Sequence, residues 1–430
     1  MSRPVGRESS LVRALLGQGV RASCLPMPSA HTVAVAAYVR AGPRFESASN
    51  AGISHFLEHM LHRGTRRHPT AYTQALAFEE LGATLSAATY VDHGVLSVSV
   101  PPENYEQVVE LLAEVCLDPV FDNIELERGI VREELLEGLD AAGRHVDPEN
   151  LLRAACFPDH GLGLPIIGTP ETLSSFDEPA LRAHHRAHYT TRMVVTVAGK
   201  IEVDRALSAV ERVFRPEVGV DPASTPPAEP SGPIFRYVSN RSSQTALRVG
   251  FRAPSEQDAL EPATEILLRV LDDGMSTRLY HRLCDERGLC YDVSATYEAY
   301  GDAGLFDISA ETSHEQALEV MDELFGIFRA LREEGASEAE VQKAQARYRW
   351  QLDEIIDVPS ELTAFYGLGE LTGVARTLEE RAKQLSSVSV ADVKRAAESL
   401  FVGRNLAVAA VGSLPRKART ELERRLKSLS

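Results

Sequence analysis

At 430 residues with a formal net charge of −17, the chain is too long for one ordinary domain and too acidic to favour a nucleic-acid backbone. Its composition, 44% hydrophobic and 25% charged, is that of a globular protein, and no apolar run approaches the ~18 residues of a membrane span. The 5 cysteines (Cys24, Cys116, Cys156, Cys284, Cys290) are scattered and lack C-x-x-C spacing, which fits a reducing compartment better than a disulfide scaffold.

The N-terminus has no signal-peptide apolar region. Arg3, Arg7, Arg13 and Arg21 against the single acid Glu8 resemble a transit peptide, but a first strand is expected near Gly19. That leaves too little chain for a presequence, so a cytoplasmic protein is expected. An apolar strand follows over Val33 to Gly42. Next comes His55-Phe56-Leu57-Glu58-His59, an H-x-x-E-H motif that mirrors the common H-E-x-x-H zinc motif. On a helix His55 and His59 share one face, with Glu58 beside it. Two neutral imidazoles can hold one zinc ion while the carboxylate stands near without binding; a third ligand and a water complete a catalytic site. The competing reading is a plain polar helix face. Ile53, Phe56, Leu57, Met60 and Leu61 argue against it, because a largely apolar helix is buried and its polar groups then need partners.

A strand is expected over Thr84 to Tyr90. Residues Asn123 to Glu137 read as a long acidic helix. Glu127 and Glu134 lie two turns apart on one face, with Glu133 about 100° away from Glu134. Periodicity alone leaves open which of these carboxylates, if any, is a metal ligand. His184, His185 and His188 sit at a helix end before Tyr189 and are read as structural.

The segment 216–233 is rich in Pro, Ala and Ser and reads as a linker. It divides the chain into domains 1–215 and 234–430, which echo each other. The strand at Val33 to Gly42 is matched by Ala246 to Pro254, and Met193 to Gly199 by Leu406 to Gly412. The fold class is α+β: two related halves, each a mostly antiparallel sheet covered on one face by helices. Only the first half carries H-x-x-E-H, so one zinc site is expected.

The H-x-x-E-H motif, the 125–134 segment, the loop His160 to Thr169 (HGLGLPIIGT) and the glycine-ended strands together resemble the M16 metallopeptidases (pitrilysin, insulin-degrading enzyme and the mitochondrial processing peptidase) over nearly the whole chain. The resemblance implies zinc held by His55, His59 and Glu134, Glu58 as general base, and Glu127 supporting a ligand histidine from behind. It implies two halves facing each other like a clamshell around a peptide, whose backbone adds to the strand at 84–90. Three positions depart from the family pattern: Ser86 stands for Asn, Ala88 for an aromatic, and His62 for another aromatic. His62 is read as packing or an outer contact, since a catalytic metal keeps an open position.

In the second half, Leu271 to Val293 resembles the family's Gly-rich turn and helix, where single-chain members carry an Arg and a Tyr seven residues apart. Tyr291 matches the Tyr and is a candidate catalytic residue, with a packed aromatic as the alternative. Cys284 occupies the Arg position. The resemblance thus implies a zinc metalloendopeptidase acting on extended or presequence-like peptides. It implies pairing with a related chain that lacks the zinc motif, or a homodimer, and no nucleic acid or membrane. A non-catalytic scaffold subunit is the alternative from another class, and a zinc hydrolase acting on another bond is a third.

Overall fold

The computed structural model describes residues 11–189, 192–219, 222 and 224–427; Arg3, Arg7 and Glu8 of the basic N-terminus lie outside them. The first sheet is built from β1 (Val12–Leu15), β2 (Arg21–Pro26), β3 (Val33–Val39), β4 (Thr84–Thr89), β5 (Gly94–Val100) and β6 (Val194–Gly199), in the order β1-β2-β6-β3-β5-β4. The second contains β7 (Ile234–Ser239), β8 (Thr245–Ala253), β9 (Cys290–Ala299), β10 (Gly304–Thr312) and β11 (Leu406–Gly412), in the order β7-β11-β8-β10-β9. In each sheet one pair is parallel, β2 with β6 and β7 with β11, and the others are antiparallel. The repeat expected from the paired strand motifs is therefore present as topology, with β3 equivalent to β8 and β6 to β11. The sheet begins earlier than expected: β1 precedes Gly19 and pairs with β2.

The helices of the first half are α1 (Ile53–Leu61), α2 (Ala71–Glu79), α3 (Tyr105–Leu117), α4 (Ile124–Glu137), α5 (Pro148–Cys156), α6 (Pro170–Ser175), α7 (Glu178–His188) and α8 (Val203–Val213). Those of the second are α9 (Glu261–Leu271), α10 (Arg278–Tyr280), α11 (Ala317–Glu333), α12 (Glu338–Asp357), α13 (Pro359–Thr372), α14 (Leu378–Ser386), α15 (Val390–Leu400) and α16 (Arg416–Leu426).

The chain divides into two compact units, but not at the linker. Unit 1 comprises the residues up to Leu135 with Leu164–Ser224 and Gln351–Glu380; unit 2 comprises Leu136–Gly163, Thr225–Trp350 and Arg381 onward. The halves 1–215 and 234–430 hold one sheet each, yet α5 belongs to unit 2 and α13 to unit 1. The reason is that both faces of each sheet need cover. β3 and β11 are buried at every residue, whereas a strand with one solvated face alternates. In unit 1, α3 lies on β3 and β5 and α8 on β2. The other face, through Ala36, Tyr38 and Val194, packs on Leu371 of α13. Gly367 of α13 is required there, because a Cβ would stand 2.2 Å from the Tyr38 ring. In unit 2, Leu247, Val249 and Phe251 of β8 face the helical core, and the alternate residues meet α5, with Leu152 against Gly250. The expectation of helices on one face was incomplete: each unit also takes one helix from the other half of the chain. No helix among the described residues is long and apolar enough to cross a membrane.

Candidate metal centre

Helix α1 buries Ile53, Phe56, Leu57, Met60 and Leu61, the apolar face anticipated from the sequence. Its start needs a glycine. Gly52 has φ +90°, and a Cβ there would stand 2.5 Å from the Ile167 carbonyl oxygen. Two backbone donors at this end are satisfied by Glu46, whose carboxylate accepts from Gly52 N at 2.7 Å and Ser54 N at 2.9 Å. The Ser54 hydroxyl accepts from Gly42 N and meets Nε2 of His184, both at 2.9 Å. His184 is thus structural, as expected, and helps to seat α1. Glu46 and Ser54 were not anticipated; an acid six residues before a helix start carries no strong sequence signal.

On the less buried side of α1, His55 and His59 stand with ring centroids 4.7 Å apart. Helix α4 docks through Glu127, Val131 and Leu135, which are its buried residues and repeat every four positions along one face. That docking carries Glu134 to the two imidazoles: its carboxylate oxygens lie 3.5 Å from His55 Nε2 and 3.5 Å from His59 Nε2. One ligand atom from each of the three residues lies within 4.8 Å of the others. Donors about 2.0–2.2 Å from a tetrahedral ion are roughly 3.3–3.6 Å apart, so the set fits zinc. Glu134, and not its neighbour Glu133, is the residue brought in.

Behind this set, His59 Nδ1 donates to Glu127 Oε1 at 2.8 Å, which leaves Nε2 as the lone-pair nitrogen. Arg63 binds the other Glu127 oxygen. Glu127 is only 4% exposed. Burial alone would raise its pKa, but the hydrogen bonds from His59 and Arg63 outweigh that and hold it below the ordinary carboxylate range. His55 is pushed down to about 4 by burial and by neighbouring His59, so it stays neutral and able to ligate. Its Nδ1 is buried without a hydrogen-bond partner, unlike that of His59. Burial also lowers His59, but the Glu127 hydrogen bond and the charges of Glu127, Glu134 and Glu58 reverse the shift.

Glu58 accepts a hydrogen bond from Thr89 Oγ1 at 2.5 Å. Burial raises its pKa, and Thr89 only partly offsets this. Thr89 ends β4, the sheet's outer strand, which pairs with β5 on one side. A cleft of about 360 Å³ is lined by Glu58, His59, His62, Arg63, Ala71 and Glu127. His62 therefore forms cleft wall, outside the three-residue set, and burial lowers its pKa. Ser86 on β4 is exposed. Tyr291 begins near the start of β9 in unit 2 and is 92% exposed. That overturns the packed-aromatic alternative and leaves its side chain in solvent.

Comparisons with known proteins give the family. The model described as insulinase (peptidase family M16) matches residues 25–170, and that of the peptidase M16 inactive domain matches residues 175–348. An uncharacterized zinc protease of Mycobacterium leprae is 30% identical over 412 residues, covering 93% of this chain and 91% of that one. An uncharacterized zinc protease of Bacillus subtilis is 29% identical over 388 residues, covering 89% and 94%. Among solved structures, a protease from Helicobacter pylori superposes with a TM-score of 0.86 at 17% identity over 94% of this chain and 99% of that one. A putative M16-like peptidase from Alicyclobacillus acidocaldarius gives 0.82 at 20% identity over 94% and 98%. The structural likenesses carry the fold and the sequence relatives carry the kinship: this chain belongs to the M16 peptidase family.

Proposed function

We propose that this protein is a zinc metalloendopeptidase that hydrolyses extended peptides, with His55, His59 and Glu134 holding the metal and Glu58 as general base. The observation that carries the reading is the convergence of two imidazole Nε2 atoms and one carboxylate beside a second carboxylate that stays out of the set. When bound, zinc lowers the pKa of a water and polarises the scissile carbonyl. Glu58 takes the proton of the attacking water and delivers it to the leaving amine. Its burial favours the protonated form, which raises its proton affinity for this task. The Thr89 hydrogen bond orients it. Glu127 positions His59 by fixing its tautomer. The open edge of β4 offers main-chain donors and acceptors to an extended substrate, which gives affinity with little side-chain demand.

The test is Glu58→Gln. Metal content by mass spectrometry should match the parent, while cleavage of a quenched peptide falls about 10²–10⁴-fold. Unchanged cleavage removes Glu58 from the mechanism. Running the parent assay with and without a relative lacking the zinc motif addresses pairing. Cys284 stands where the resemblance implies an arginine, so we propose that a second chain supplies that cation. Full activity of the chain alone argues against that pairing.

A further inference from the structure

Two of the five cysteines meet in space. Cys284 and Cys290 lie with their sulfurs 3.6 Å apart. Cys24, Cys116 and Cys156 are buried, whereas Cys284 and Cys290 are only partly so. Local structure holds them together. Residues His281–Glu286 form a π-helical turn, a rare geometry that is frequent at functional sites. Gly288, at φ +55°, then reverses the chain. Hydrogen bonds from Gly288 N to Cys284 O at 3.2 Å and from Leu289 N to Leu283 O at 2.8 Å fix the return. Cys290 enters β9 opposite Thr312, beside an irregularity in the ladder, and the Thr312 hydroxyl donates to Leu289 O at 2.6 Å. Both sulfurs rest against the apolar core of unit 2.

We infer that Cys284 and Cys290 are a dithiol that closes reversibly to an intrachain disulfide, pinning the π turn to the first residue of β9. Bond formation brings the sulfurs to about 2.05 Å, a relative shift of ~1.5 Å, within reach of side-chain rotation. With hydrogen peroxide as oxidant the balance is complete. The Cys284 thiolate attacks one peroxide oxygen, giving a sulfenic acid and releasing water after proton transfer. The Cys290 sulfur then attacks that sulfenic sulfur, expelling a second water and leaving the S–S bond. Two electrons pass from the two thiols to the peroxide. A small-molecule disulfide does the same by exchange, leaving as two thiols. The order of attack follows from the surroundings. Burial raises Cys284, but the hydrogen bond from Cys290 counters it. Cys290 is pushed up to about 12 by burial and by Cys284. Cys284 is therefore the thiol that ionises first.

The test uses the full chain treated with hydrogen peroxide, and separately with oxidised glutathione. Remaining thiols are alkylated under denaturing conditions and the chain is mapped without reduction. Both treatments should yield one Cys284–Cys290 crosslink, a mass about 2 Da lower and two fewer alkylatable thiols, all reversed by dithiothreitol. Cys24, Cys116 and Cys156 should remain alkylated. Cys290→Ser should stop peroxide chemistry at an oxidised, uncrosslinked Cys284, and Cys284→Ser should leave Cys290 as a thiol over the same interval. Parent protein in which both thiols stay alkylatable, or which crosslinks them to other cysteines or other chains, overturns the inference. So does a Cys290→Ser chain that still forms an intrachain crosslink through Cys284. The parent map decides the question even where a variant folds poorly.

Discussion

Helices α1 and α9 occupy the same place in their sheets, each following the central strand and preceding the edge strand, yet they solve opposite charge problems. On α1 the pair four residues apart is His55 and His59; on α9 it is Glu261 and Glu265. In unit 2 the acids are answered from within. Arg381 of α14 places its guanidinium on Glu261 with hydrogen bonds of 2.7 and 2.6 Å and reaches Glu265 at 3.8 Å. Glu261 and Arg381 are almost entirely buried, at 5% and 8% side-chain exposure. In unit 1 burial keeps His55 neutral, and the Nε2 atoms of both imidazoles face the half-exposed carboxylate of Glu134. One framework thus carries a closed internal ion pair and, in its copy, donors that converge on a space suited to a dication. The difference teaches that the repeat preserves architecture while the i, i+4 pair decides whether charge is settled by the protein or left to a ligand.

The sharpest way to break the comparison is to remove a proposed ligand. His59→Ala or Glu134→Ala should drop zinc from one ion per chain to none, measured by elemental mass spectrometry, because two remaining donors do not make a protein zinc site. Retention of zinc by Glu134→Ala together with its loss from Glu133→Ala would place the ligand one residue earlier. In unit 2 the equivalent lesion acts on stability. Arg381→Met removes the guanidinium that makes two hydrogen bonds to buried Glu261, and unfolding should become easier by about 3–5 kcal/mol. Urea denaturation measures this, and a loss under about 1 kcal/mol would mean the pair is not the closed device described. A smaller effect belongs to Glu127→Gln. The chain should fold and bind zinc, with affinity lowered about 10–100-fold in competition with a chelator, because His59 loses the carboxylate that orients it. Unaltered affinity would reduce Glu127 to a partner of Arg63.

Much of the site was legible before any coordinates. His55, Glu58 and His59 are local, and helical period alone places them together. Glu134 was legible only through family resemblance, because the acidic helix offers several carboxylates and periodicity ranks none above the rest. The partners that tune the set were not legible. Arg63 to Glu127, Thr89 to Glu58 and Glu46 to the start of α1 join residues by single side-chain contacts, and such contacts leave no pattern in composition or period. The proximity of Cys284 and Cys290 was hidden for a related reason: a π turn and a positive-φ glycine, not a spacing motif, bring them together.

The sequence by itself determined the two halves, their repeated strands, the single H-x-x-E-H and the apolar face that buries its helix, because each rests on patterns of near neighbours. Only the tertiary structure decided that α5 and α13 change places between the units. Both faces of a fully buried strand need cover, and a helix distant in sequence supplies it. Tertiary structure also decided which carboxylate meets the imidazoles. That choice depends on how α4 docks through Glu127, Val131 and Leu135, and docking is a property of packed surfaces, not of local sequence.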